Sequence, residues 1–313
     1  MTKPDDSLLT PHQLQTVQRH ADRLLREAGA IGNFPTPIED IMAAAKLTVV
    51  DDELLDEGML KKFMAIAKSG LATIKSAFTK VMALFESNDR LVVIDKNVPK
   101  PKKPFVKLHE AGHGYMPHQS RAYALLHDCD RTLDPDITDQ FEREANVFAS
   151  EALFQGSLFA TMANDSTFGV KAPMALAKKF GGSNYSAFRR YVTTNPKACC
   201  VAVLEQLQTD ENGFFAEVRR VVASTTFDQI IDPVPLGRLV TPSHPLARAV
   251  PRGKQRIVSE REIILVDRNG DERIALAEAF NTGHQIFILM REAGLRKKSV
   301  LIVPNRQLQI PPR

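Results

Sequence analysis

The sequence predicts an α+β protein with a mainly helical N-terminal part, a small sheet and a C-terminal α/β module. Three observations carry this. Apolar residues recur at helical spacing through much of the first 195 residues, as in "PHQLQTVQRHADRLLREAG". Between those stretches lie short β-rich runs such as "RLVVID" (Arg90–Asp95). After Pro196 the texture changes to strands, among them "ACCVAVLE", "GFFAEVRRVVAS" and "QIFILM".

Thr10 is placed to cap the first helix, with Pro11 in its first turn. "PIEDIMAAAKLTVV" reads as a helix from Pro37 followed by a strand over Leu47–Val50. Residues 54–86 read as helical with a break near Gly70; lysines 61, 62, 68, 75 and 80 alternate with apolar residues, and packing on the domain is the simplest use of such a face. "KNVPKPKKP" is a connector. The helix that follows carries "KLHEAGHGYMPH" and is expected to end at Pro117. A polar loop is expected to about Pro135, then a second helix, "DITDQFEREANVFASEALF". "APMALAKKFGGSNYSAFRRY" is helix-turn-helix-like, with Gly181-Gly182 at the turn and Ser183 as cap. "EIILVDRNGDERIALAEAF" is a hairpin about Asn269-Gly270, and "SVLIVP" is a last strand. The expected divisions are 1–165, 166–200 (the helix-turn-helix-like segment) and 201–313 (a regulatory or substrate-docking module).

The 313-residue chain is 43% hydrophobic and 25% charged, a balance that supports a folded core. No apolar run reaches 18 residues, and the N-terminus lacks the basic flank and apolar stretch of a signal peptide, so the expected location is cytoplasmic without a membrane partner. Three cysteines, two of them adjacent at 199 and 200, fit reduced thiols. A net charge of +4 is too mild to point to nucleic acid.

His109 and His113 stand four apart, on one face of a helix, where two neutral imidazoles can ligate one Zn²⁺. Glu110 then lies beside the ion rather than on it, where a general base would act on a water. Gly112 and Gly114 weaken the helix and would let another segment approach. A catalytic zinc needs a third ligand and an open position. On the second helix Glu142 and Glu144 are 200° apart around the axis, by about 100° per residue. Glu142 lies on the side of Ala145 and Ala149, with Glu144 turned more to solvent; Glu142 is therefore the expected ligand and Glu144 the fallback. Asn146 could hydrogen-bond a ligating imidazole. Mn²⁺ is compatible with the same donors.

"HEAGH", "EREANVFASEALF" and "ALAKKFGGSNYSAFRRYV" together resemble the ImmA/IrrE family of zinc metallo-endopeptidases over roughly residues 30–195. The resemblance implies a zincin-like metallopeptidase domain, with zinc on His109, His113 and Glu142 and Glu110 as the catalytic carboxylate. It also implies a protein substrate, a transcriptional repressor cleaved to induce stress or mobile-element genes. The family's Leu-Leu-Met-Pro run is here Ala152, Leu153, Phe154 and Gln155. His118, His127, Tyr115 and Tyr123 could donate to an oxyanion, and Cys129 could occupy the ion's open position. The competing expectation is a DNA-binding regulator that uses Arg189 and Arg190 of the helix pair and keeps the metal site for structure. Burying Tyr185, Phe188 and Tyr191 argues instead for packing.

Overall fold

Thr10 opens the first helix through a reciprocal cap. Its hydroxyl accepts from the Gln13 N–H at 3.3 Å, and the Gln13 side-chain oxygen accepts from the Thr10 N–H at 2.8 Å. This helix, α1 (Pro11–Glu27), buries Val17, Ala21, Leu24 and Leu25. The computed structural model describes residues 9–51, 83–86, 90–94, 98–129, 134–211, 213–232, 237–253 and 256–296. The chain divides into two compact units, Met1–Asn195 and Pro196–Arg313.

In the first unit α2 (Ile38–Ala44) leads into β1 (Thr48–Asp51). With β2 (Ala83–Glu86) and β3 (Leu91–Ile94) it makes a three-stranded sheet in the order β1-β3-β2. β1 runs parallel to β3, and β2 antiparallel. The helix expected to run to Glu86 therefore ends in a strand, because its last four residues pair with Leu91–Ile94 and cross-strand partners override local helical preference. Residues 54–82 of that expected helix, and the strand expected at 299–304, lie outside the described residues.

The motif helix is α3 (Lys103–Tyr115). Pro117 ends it, as expected, but starts another helix at once. Met116 alone is extended, and α4 (Pro117–Cys129) takes the place of the anticipated loop. Proline's missing N–H costs nothing in a helix's first turn, where no acceptor exists. The helix expected over "DITDQFEREANVFASEALF" is α5 (Pro135–Leu153); Asp134 caps it by accepting from Asp136 N–H at 2.8 Å. α3 and α5 meet where Gly112 lies: a Cβ there would come 3.3 Å from Ala145 Cα and Phe148 Cβ. The glycine thus lets the two backbones close on each other.

α6 (Ser157–Asn164), α7 (Lys171–Phe180) and α8 (Asn184–Thr193) complete this unit. Gly181 makes the turn in a left-handed conformation (φ 76°), and the Ser183 hydroxyl caps α8. The helix pair faces inward. Phe188 and Tyr191 are buried, and Arg190 donates to the Glu151 carboxylate at 2.7 Å and to the Gly156 carbonyl at 2.9 Å. Gln18 of α1 donates to the other Glu151 oxygen at 3.1 Å. Arg190 is thereby withheld from any nucleic acid and ties α1, α5 and α8 together. Breaking a buried ion pair from one side costs about 3–5 kcal/mol. Arg190→Met is accordingly expected to lower the stability of this unit by about 3 kcal/mol or more, read as a drop in its denaturant midpoint; a change within about 0.5 kcal/mol, typical of surface substitutions, would contradict it.

The departure from the family's Leu-Leu-Met-Pro run has a local explanation. Phe154 is fully buried against Phe159 and Phe180. Gln155 is buried too, and its amide holds the segment between α1 and α2: it accepts from Gly32 N–H at 2.7 Å and donates to the Asn33 carbonyl at 2.8 Å. A proline there would leave those backbone groups without these partners.

The second unit is a seven-stranded sheet built on antiparallel pairs. Its order is β5-β6-β4-β10-β9-β8, with β7 paired to β6. The strands are β4 (Cys199–Leu204), β5 (Gln208–Asp210), β6 (Gly213–Ala223), β7 (Leu239–Val240), β8 (Ile257–Val266), β9 (Glu272–Asn281) and β10 (Ile286–Leu295). β4 is buried along its whole length, as suits a strand flanked on both sides. The hairpin about Asn269-Gly270 joins β8 to β9, with Gly270 at φ 85°. Among the described residues of this unit, helix is limited to α9 (Thr225–Ile230) and one 3₁₀ turn, Pro245–Ala249. The expected α/β module is thus almost wholly antiparallel β. β5 and β6, β8 and β9, and β9 and β10 are antiparallel neighbours joined by short connections, so no crossover helix is needed between them. Among the described residues no helix is long and apolar enough to cross a membrane.

Candidate metal centre

One turn of α3 and one residue of α5 supply a converging donor set. His109 and His113 bring their Nε2 atoms within 3.2 Å of each other. Glu142 lies 3.3 Å from His109 Nε2 through one oxygen and 3.4 Å from His113 Nε2 through the other. These spacings fit a metal. Two donors at 2.0–2.1 Å from one ion, at tetrahedral angles, lie about 3.3–3.4 Å apart. Both rings are sheltered, whereas the Glu142 side chain is 50% exposed. The group therefore has a rim open to solvent.

Glu144 is where the expectation fails in detail. It is 3% exposed, not turned to solvent. The reason is α4, which covers the side of α5 that a loop would have left open. Glu144 accepts from His118 Nε2 at 2.5 Å, from Gln119 Nε2 at 2.7 Å and from Gln140 Nε2 at 2.9 Å. Burial would raise its pKa, but these hydrogen bonds, with His118 first, hold the carboxyl below its ordinary value. Glu144 thus faces His118 and Gln119, and Glu142 faces the paired rings.

Gln119 was not legible in the sequence as a neighbour of this group. It is fully buried, and its Oε1 lies 2.7 Å from His113 Nδ1. It sits six residues past His113 across a proline-broken helix, a spacing with no periodic signal in the sequence. Asn146 of α5 acts on the His109 ring and raises its pKa. Glu110 is buried, and its charge acts on His109 and on Tyr123. Tyr123 packs edge-on against His113, ring centroids 5.5 Å apart; burial, then Glu142 and Glu110, push its pKa up and keep the phenol protonated. The other expected donors are engaged elsewhere or undescribed. Tyr115 donates to Glu27 of α1 at 2.8 Å, and His118 is held by Glu144. His127 and Cys129 fall in the last turns of α4, and their side chains lie outside the described residues. Cys199 and Cys200 are buried in β4; burial pushes the Cys199 thiol up to about 12 and raises Cys200 as well, so both are inert.

Burial by itself would lower the His109 pKa, but Glu142 beside it, the charges of Glu110 and Glu142 and the influence of Asn146 reverse it, and the pKa is raised above 6.5. Without an ion, a proton on His109 can bridge the donors. A ligand with a raised pKa makes protons compete with the metal from above 6.5 downward. Divalent-metal affinity, measured by chelator competition between about pH 9 and pH 5.5, is expected to begin falling above pH 6.5. An affinity constant down to pH 6 would contradict that sign.

A family model described as an IrrE N-terminal-like domain, Peptidase_M78, matches residues 67–188. No curated protein matches the chain. Among solved structures, a Mycobacterium tuberculosis transcriptional regulator is similar at 13% identity and a TM-score of 0.49, covering 88% of this chain and 76% of that one.

Proposed function

Because residues 67–188 are a domain of the ImmA/IrrE family, we propose that the protein is a zinc-dependent endopeptidase with His109, His113 and Glu142 as metal ligands and Glu110 as general base. The observation that carries this is the triangle of donor atoms at 3.2, 3.3 and 3.4 Å, with a buried carboxylate one residue from the first histidine. A bound Zn²⁺ would polarise the scissile carbonyl and lower the pKa of a water from 15.7 to about 7.

The chain's own groups do the rest. Glu110 takes the proton of the attacking water and returns it to the leaving amine. Tyr123, kept as a phenol beside His113, donates to the developing oxyanion. The exposed side of Glu142 keeps the donor group accessible from solvent. The substrate is a protein, and the family assignment favours a transcriptional repressor whose loss induces stress or mobile-element genes. Mn²⁺ would suit the same donors.

Elemental analysis of the purified protein, joined to a cleavage assay against a repressor encoded beside it, tests the reading. About one Zn²⁺ per chain and cleavage abolished by chelation are expected. Equimolar zinc with no hydrolysis of any repressor or peptide would leave a structural site and reject the peptidase.

A further inference from the structure

We propose that Gln119 is a positioning residue for His113, and that the buried Glu144 carboxylate fixes which way the Gln119 amide points. The argument is one of hydrogen-bond polarity. Gln119 Nε2 lies 2.7 Å from Glu144 Oε2 and 3.3 Å from the Phe141 carbonyl oxygen. Both are acceptors, so only the amide's NH₂ can stand there. Its oxygen must then face His113 Nδ1, at 2.7 Å. That oxygen accepts, so Nδ1 carries the hydrogen. His113 Nε2 is left with its lone pair directed at the donor set of His109 and Glu142.

The reversed amide would set an oxygen against two oxygens and an NH₂ against Nδ1. It would move the ring hydrogen to Nε2 and block ligation. Gln119 is wholly buried and Glu144 nearly so, and no water can substitute easily for either. His118, at the same Oε2, and Gln140, at Oε1, hold Glu144 in place. A carboxylate that makes no contact with the ion thereby selects the metal-competent tautomer of one of its ligands. The inference rests on the metal-site reading above, but not on peptidase activity.

The test begins with the metal-free wild-type protein, labelled with ¹⁵N-histidine and held near pH 8.5, above the ordinary imidazole range. Long-range ¹H–¹⁵N ring correlations, assigned with His113→Asn, are expected to show His113 as the Nδ1–H tautomer. An Nε2–H ring in the wild type would overturn the proposal with no mutation needed. Glu144→Gln keeps the shape of the side chain but lets the Gln119 amide turn either way, and Gln119→Met removes the acceptor altogether. Both are expected to give a mixed or Nε2–H ring and to weaken Zn²⁺ binding by about 10–100-fold in chelator competition.

A purely structural role would lower the unfolding temperature of the metal-free protein and leave tautomer and affinity unchanged, and that result rejects the proposal. If Gln119→Met does not fold, the isosteric Glu144→Gln decides. Loss of cleavage is not used as a readout. A protein that binds zinc through the Nδ1–H tautomer yet hydrolyses nothing would reject the peptidase and retain this inference.

Discussion

Glu110→Gln is expected to lower peptide cleavage by about 10²–10⁴-fold, the range a general base contributes, while zinc content and fold stay as in the wild type. The substitution keeps the volume of a side chain that is 8% exposed. It removes a charge that supports the His109 pKa, so the onset of acid-driven metal loss should also move to lower pH. Steady-state cleavage, elemental analysis and a pH titration of metal affinity measure the three effects. Retained cleavage would remove Glu110 from the mechanism. Lost zinc would show that the carboxylate holds the ion rather than the water.

The second large effect separates two neighbouring carboxylates. Glu142→Ala deletes the oxygens 3.3 and 3.4 Å from the two Nε2 atoms, and purified protein should carry almost no zinc. Its affinity loss should exceed the about 10–100-fold typical of a partner that touches only a ligand. Glu144→Ala should stay within that range, because its carboxylate meets Gln119 and His118 and not the ligating nitrogens. Metal content by elemental analysis and affinity by chelator competition check both. If Glu144→Ala empties the site and Glu142→Ala does not, the third ligand is the wrong glutamate.

These cases show how much was legible. The i, i+4 spacing of His109 and His113 fixes their common face in any helix, because 3.6 residues per turn is a local property. The same holds for the Thr10 cap, the Gly181 turn and the hairpin at Asn269-Gly270, all realised within a few residues of chain. Glu142 could be chosen over Glu144 from its side of the helix, yet the solvent exposure assigned to each was inverted. That depended on α4, which lay hidden behind Pro117, a residue that reads equally as a stop or a start. Helical preference over residues 83–86 likewise gave way to pairing with β3.

By itself, then, the sequence placed His109, His113 and Glu142 as one candidate donor group and marked the starts of several helices, since each follows from backbone geometry over a turn or two. Only the tertiary structure decided the supporting shell. The Gln119 amide, its orientation by Glu144 and the inward turn of Arg190 join residues brought together by packing of separate helices. Such contacts have no fixed spacing along the chain. Burial rather than periodicity makes their hydrogen bonds obligatory.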